Sequence, residues 1–412
     1  MKIKLLALVF ISQLGFSQEK CLMEVKMNEM LSNPVMRQKY EERQARFENE
    51  FSRLQSLPLE KSAQSGPTRI PVAVHYPNAG SANASLKNCL RALAQNQINI
   101  LNADYNAQNA DLSTWTNTTS SYFPGVNYGS LNIQLELATQ NHPAGMGLVN
   151  GDVAVTFGYD FGSGSDWDTN WAGYLNIIVR NDLGGTLGYA YLASDPADGA
   201  AIFMNNTAFG ATGNGCSGYM PGAPYNLGRT LTHELGHYFN LNHIWGNGTC
   251  GNDFVADTPQ HNTANGGCPA ISHLSTCAGT PREMTMNYMD YTNDVCMYMF
   301  TAGQTTRQQA HFNTIVGSFN QTTLSNGEFV QKNSISVYPN PNKGSFVIQF
   351  SDYVNDFSVE VYDQSGRTVY SNKFEGNSDL EQQINLSSAA TGVYFVKVLS
   401  GEESFVRKML VD

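Results

Sequence analysis

Arg229-Thr230-Leu231-Thr232-His233-Glu234-Leu235-Gly236-His237-Tyr238-Phe239-Asn240-Leu241-Asn242-His243 is the stretch on which the reading of this 412-residue chain turns. On a helix, positions four apart lie one turn apart on one face, so His233 and His237 aim two imidazoles at a single point. Glu234 stands beside them. His243 follows ten residues after the first histidine, where a continuing helix would carry it away. The chain must therefore turn just before it, and Asn240 tolerates the left-handed conformation that such a turn needs. Three neutral imidazoles suit a zinc ion that keeps its fourth position open. Zinc held there would lower the pKa of a water and polarise a carbonyl. Glu234 would take that water's proton and pass it to a leaving amine. The other histidines (His75, His142, His261, His273 and His311) have no such spacing and are assigned no role.

Working outward, Thr230–Phe239 reads as a helix, and the texture upstream is strand, helix, strand. Pro71–His75, Leu131–Leu137 and Tyr174–Arg180 carry strand patterns, and Leu86–Ala103 an amphipathic helix. Residues 69–320 are thus expected to form an α/β (α+β) unit. A polar linker at 321–333 follows. Residues 334–412 then hold seven short strand-like segments (Ile335–Tyr338, Ser345–Phe350, Phe357–Asp363, Thr368–Asn372, Leu380–Leu386, Val393–Leu399, Ser404–Leu410), which predict an all-β sandwich.

At the other end, a basic start, the apolar run Leu5–Phe10 and small residues before Gln18 predict a signal peptide at 1–17. The apolar run is too short for a membrane span. Residues 18 to about 60 have helical composition, Ser62–Pro67 reads as a linker, and 18–68 together read as a propeptide. Its Cys21 is left over among seven cysteines in an exported chain. A thiolate is a good zinc ligand, so Cys21 is the candidate for a latency device. Whether Cys89 and Cys216 pair is left open. Net charge is −11, and between Asn88 and Gln331 there is no lysine and only five arginines against 17 acidic residues. That sign excludes a nucleic-acid footprint and favours cationic partners.

The three histidines with Asn287-Tyr288-Met289-Asp290-Tyr291 resemble the metzincin zinc peptidases, in which a methionine turn lies beneath the metal. Closer wording is shared with the pappalysin family. It lies in Gly228–His233, His243-Ile244-Trp245-Gly246, Ala256-Asp257-Thr258-Pro259, and Cys296-Met297 leading to Phe300–Gln304. Asn240 departs from the glycine most metzincins have there. This resemblance implies Met289 as the floor of the site and Tyr291 as a hydroxyl supporting the oxyanion. It implies disulfides Cys250–Cys277 and Cys268–Cys296, and structural calcium at Asp253 and Asp257. It also implies an edge strand at Leu187–Ala190 for an extended protein or peptide substrate. Asp294 would lie at the base of the pocket for the residue after the cut, favouring Arg or Lys there. Glu60–Lys61 and Thr68–Arg69, the second just before the first strand, would then be sites of propeptide removal. The C-terminal segment is similar to the type IX secretion sorting domain through Tyr338-Pro339-Asn340-Pro341, Gly344, Gly366, Gly392-Val393-Tyr394 and Lys408. That implies the secretion machinery as a partner and a secreted or surface location. A rival reading, a catalytically silent adhesin on the same shell, has no use for Glu234.

Overall fold

The computed structural model describes residues 21–56, 67–324, 335–350, 357–374, 381–386, 389–400 and 403–412. The expected signal peptide, the Glu60–Lys61 bond and most of the expected linker fall outside them. The chain divides into two units at Ser325/Asn326.

The first unit is built on a sheet of order β2-β1-β4-β6-β5, with β3 also pairing β1. Its strands are β1 (Thr68–Tyr76), β2 (Ile133–Leu137), β3 (Val155–Phe157), β4 (Leu175–Arg180), β5 (Gly188–Tyr189) and β6 (Ala201–Asn205). All pairings are parallel except β5 on β6. Central strands of a parallel sheet are covered on both faces, and β4 and β6 are accordingly apolar runs, buried along nearly their whole length. Edge strand β2 alternates buried and half-buried residues.

Helix α3 (Ala84–Tyr105) starts at Asn83, whose side chain accepts the Leu86 N–H, and buries Leu90, Leu93, Ala94, Ile98 and Leu101 as one stripe. A short α4 (Ser113–Asn117) follows. Helices α5 (Arg229–Tyr238) and α6 (Ala302–Ile315) complete the unit, α6 opening on a capping box of Thr301 and Gln304. Cys89 of α3 is disulfide-bonded to Cys216, with Cα atoms 5.9 Å apart.

The N-terminal segment forms α1 (Met23–Ser32) and α2 (Pro34–Ser56). They part at Asn33, which is extended and caps α2 by accepting the Val35 and Met36 N–H groups. Pro34 takes the first helical position, where no N–H is needed.

Two boundaries differ from expectation. Strand β1 begins at Thr68, so the Thr68–Arg69 bond lies inside the register with β2 rather than before the strand. The linker also begins later than Gln321: the Thr323 carbonyl accepts the Thr139 and Gln140 N–H groups, tying this stretch to the first unit.

The second unit is two antiparallel sheets, β10-β9-β12-β13 and β11-β8-β7. The strands are β7 (Ile335–Tyr338), β8 (Ser345–Phe350), β9 (Phe357–Asp363), β10 (Thr368–Phe374), β11 (Glu381–Asn385), β12 (Gly392–Ser400) and β13 (Glu403–Val411). Phe346, Ile348 and Phe350 of β8 share a core with Val359 and Val361 of β9 and Val396 and Val398 of β12. Alternate residues of each strand supply it, as in a β-sandwich.

Candidate active site

Helix α5 is buried along its whole length, which is unusual for a ten-residue helix bearing Arg229, Thr230, Thr232, His233, Glu234 and His237. Its start is therefore bolted down. Asp294 accepts the Leu227 N–H at 2.8 Å and the Arg229 N–H at 3.3 Å. The Arg229 side chain is paired with Asp104 of α3 and, at 2.8 Å, with Asp111, while Thr232 Oγ1 donates to Asp104 at 2.6 Å. Carboxylates at a helix N-terminus also complement its dipole. At Gly236 a Cβ would stand 2.5 Å from Met289 Sδ, so the glycine lets α5 lie on the buried Met289. Two residues past the helix end, Asn240 takes the left-handed region at φ 70°. The turn there brings His243 back toward His233 and His237.

The three imidazoles converge through their Nε2 atoms. Nε2 of His237 lies 3.1 Å from that of His233 and 3.1 Å from that of His243. The Nδ1 atoms of His233 and His237 donate to the Tyr288 and Leu241 carbonyls, each at 2.7 Å. Those bonds place the protons on Nδ1 and leave Nε2 lone pairs facing one another. Burial drives the His233 pKa down to about 4 and holds His237 and His243 well below the usual histidine value, so the rings are neutral. Neutral lone pairs so close repel unless a cation sits among them. Nitrogens bound to tetrahedral zinc stand about 3.3 Å apart, so the donor set fits that ion. Trp245 stacks on His243, with ring centroids 4.3 Å apart.

Glu234 is fully buried, and burial pushes its carboxyl up to about 8, against the pull of the Cys21 thiol and the Ala190 amide. Cys21 Sγ lies 3.4 Å from Glu234 Oε2 and forms one cluster with the three histidines, all ligand atoms within 4.8 Å of one another. Its backbone bridges Gly188 of β5, and the Leu22 N–H donates to the Gly188 carbonyl. The N-terminal segment thus lies along the edge strand and across the metal position. The Tyr291 hydroxyl stands 3.2 Å from His243 Nε2 and 3.4 Å from the Cys21 carbonyl. Burial above all keeps this phenol protonated, and therefore a donor.

A small cavity opens at this cluster, walled by Leu187, Tyr225, Thr230, His233, Glu234, Tyr291 and Asp294 among others. Burial raises Asp294 to about 6 in spite of its two backbone bonds. Asp253 accepts from Thr258 Oγ1 and the Val255 N–H. Asp257 accepts from Thr301 Oγ1 and the Gly303 N–H at the start of α6. Each carboxylate thus accepts hydrogen bonds from its own local turn or helix start. Cys250 pairs with Cys277 and Cys268 with Cys296. Sequence reasoning missed Asp104 and Asp111. Their only signal is that a buried arginine, Arg229, requires acidic partners somewhere in the chain.

Such a centre has the three-histidine arrangement of the metzincin metallopeptidases. Residues 163–313 match the family model described as pregnancy-associated plasma protein-A, and residues 336–412 that of the secretion system C-terminal sorting domain. A promirolysin mutant from Tannerella forsythia superimposes with a TM-score of 0.52 at 31% identity, over 74% of this chain and 95% of that one. Extracellular metalloprotease 1 of Coccidioides posadasii is 40% identical over 143 residues, 33% of this chain and 48% of that protein. An extracellular metalloprotease of Sordaria macrospora is 40% identical over 148 residues, 34% and 48% of the two chains. The chain spans about half the length of these curated relatives. It belongs to the pappalysin family of metallopeptidases, and its sorting domain makes it a secreted or cell-surface protein. No helix among the described residues is long and apolar enough to cross a membrane.

Proposed function

We propose that this chain is a zinc-dependent endopeptidase made as a precursor, its N-terminal segment blocking its own metal site. The observation that carries the reading is the meeting of three Nε2 lone pairs at 3.1 Å, with Nδ1 protons anchored on backbone carbonyls at two of the rings. His233, His237 and His243 would hold zinc, which when bound supplies a Lewis acid and acidifies water. Glu234 is the general base. It is buried next to His233 and beside the three converging Nε2 atoms, placed to take a proton from the attacking water and return it to the leaving amine. The Tyr291 hydroxyl donates to the developing oxyanion. An extended substrate would pair with the free edge of β5, as Leu22 does here.

In the precursor Cys21 Sγ, clustered with the three histidines, would stand where zinc's water binds, and α1 and α2 fasten it there. Lys39 and Arg43 pair with Asp198, and Gln44 exchanges hydrogen bonds with Asn240, the residue of the ligand turn. Glu60–Lys61 and Thr68–Arg69, the second at the start of β1, are the proposed maturation bonds. Asp294 in the cavity wall would draw Arg or Lys to the position after the cut. The reading is tested on a casein-like substrate. Hydrolysis should vanish with a zinc chelator and return with added zinc, and hydrolysis indifferent to chelation would defeat it. Cleavage of a peptide library should show Arg or Lys after the cut; an apolar profile there would remove Asp294 from that role.

A further inference from the structure

A second carboxylate, Asp166, is reached from β5 beyond Leu187, the residue that walls the Asp294 cavity. Asp166 accepts hydrogen bonds from both Tyr189 (3.2 Å, Oδ1) and Tyr191 (2.5 Å, Oδ2), and its own carbonyl is fixed by the Ala201 N–H beside β6. Two phenols steady the charge of a carboxylate without cancelling it. A cation sits there in the precursor: Lys26 Nζ of α1 stands 3.8 Å from Asp166 Oδ2 and 5.4 Å from the centroid of the Tyr189 ring. Its other partner, Glu29 at 3.1 Å, belongs to α1 and leaves with it. Carboxylate plus aromatic face is a fit for an ammonium or guanidinium group.

The order along the edge strand gives the site its meaning. Leu187 walls the Asp294 cavity, Gly188 pairs with the Cys21 segment at the metal, and Tyr189 and Tyr191 reach Asp166. We propose that Asp166, Tyr189 and Tyr191 form a second cation subsite, which takes a lysine or arginine of the substrate on the N-terminal side of the cut. Lys26 holds that place until the propeptide leaves. The proposal rests on the peptidase reading and on Asp294 serving the residue after the cut.

The test uses enzyme activated from the full-length precursor. Peptides with Arg fixed after the cut carry Lys or its neutral counterpart norleucine at each of the four preceding positions. At one of them Lys should raise kcat/KM roughly fivefold at low salt, and the gain should shrink as salt is added. Asp166→Asn should bring that ratio close to one and leave the selectivity after the cut in place. Absence of a lysine gain at every preceding position would overturn the proposal, and this comparison needs no variant that folds. A gain that survives Asp166→Asn would overturn it too. So would faster precursor activation in Asp166→Asn with unchanged selectivity, because Asp166 would then be only an anchor for Lys26. If no peptide is cut at all, the peptidase reading falls and takes this one with it.

Discussion

At the scale of single residues, Cys21 is the test of latency. Cys21→Ala removes the thiol from the ligand cluster, so the purified precursor should activate sooner than the parent in a time course of peptide hydrolysis. Unchanged latency would mean that the helices alone block the cleft. Asp253 offers a pH test. Burial raises its folded pKa to about 6, above the ordinary value of 3.8, so ionisation costs the folded state. Its contribution is most favourable below pH 4, falls between pH 4 and 6, and stays low above. In a calcium chelator, Asp253→Asn should therefore gain stability against the parent from pH 4 to pH 7, by about 2–3 kcal/mol at most. Calcium that raises the parent's Tm at pH 7, but not the variant's, would make this carboxylate a metal ligand instead of a cap. What could be read from the sequence at this scale was local. His233, Glu234, His237 and His243 announce themselves by spacing within one helix and one turn. Asp104, Asp111 and Asp166 do not, because each meets its partner only after the sheet and α3 have assembled.

Among elements, the seat of α2 carries most of the hold on the N-terminal segment. Phe47 is fully buried, stacks on Phe51 and lies against the Arg307 guanidinium, 4.6 Å from its ring centroid. Arg307 in turn donates to the Asn240 carbonyl. Phe47→Ala should weaken this docking by about 3 kcal/mol, and with Arg43→Ala should speed activation even where Cys21 is kept. Activation at the parent's rate in the double variant would place the hold on the thiol alone. The elements themselves were unevenly legible. Leu175–Arg180 reads as a strand because its apolar run is bounded by polar loops, and the seven strands of the second unit because turn residues punctuate them. The short buried run Ala201–Asn205 lies between Gly- and Asn-rich loops, where too few residues remain for a period to show. Helix α6 opens on Thr301 and Gln304, a capping signal, but its polar face toward α2 blurs the apolar stripe. The strand start at Thr68 was hidden because Pro71 reads as a boundary. Pro71 is tolerated because pairing with β4 begins only at Val72.

For the whole molecule, each unit has its own core, so removal of residues 326–412 should leave the peptidase activity and melting transition of the first unit in place. Loss of the transition would show that the sandwich supports the catalytic fold. The central claim is that three histidines hold the metal and Glu234 does the proton transfer. Zinc content and peptide hydrolysis measured side by side on the parent and on Glu234→Ala test it most directly. The account predicts one zinc per chain in both proteins and a loss of nearly all hydrolysis in the variant. Wild-type hydrolysis by the zinc-loaded Glu234→Ala protein would contradict it.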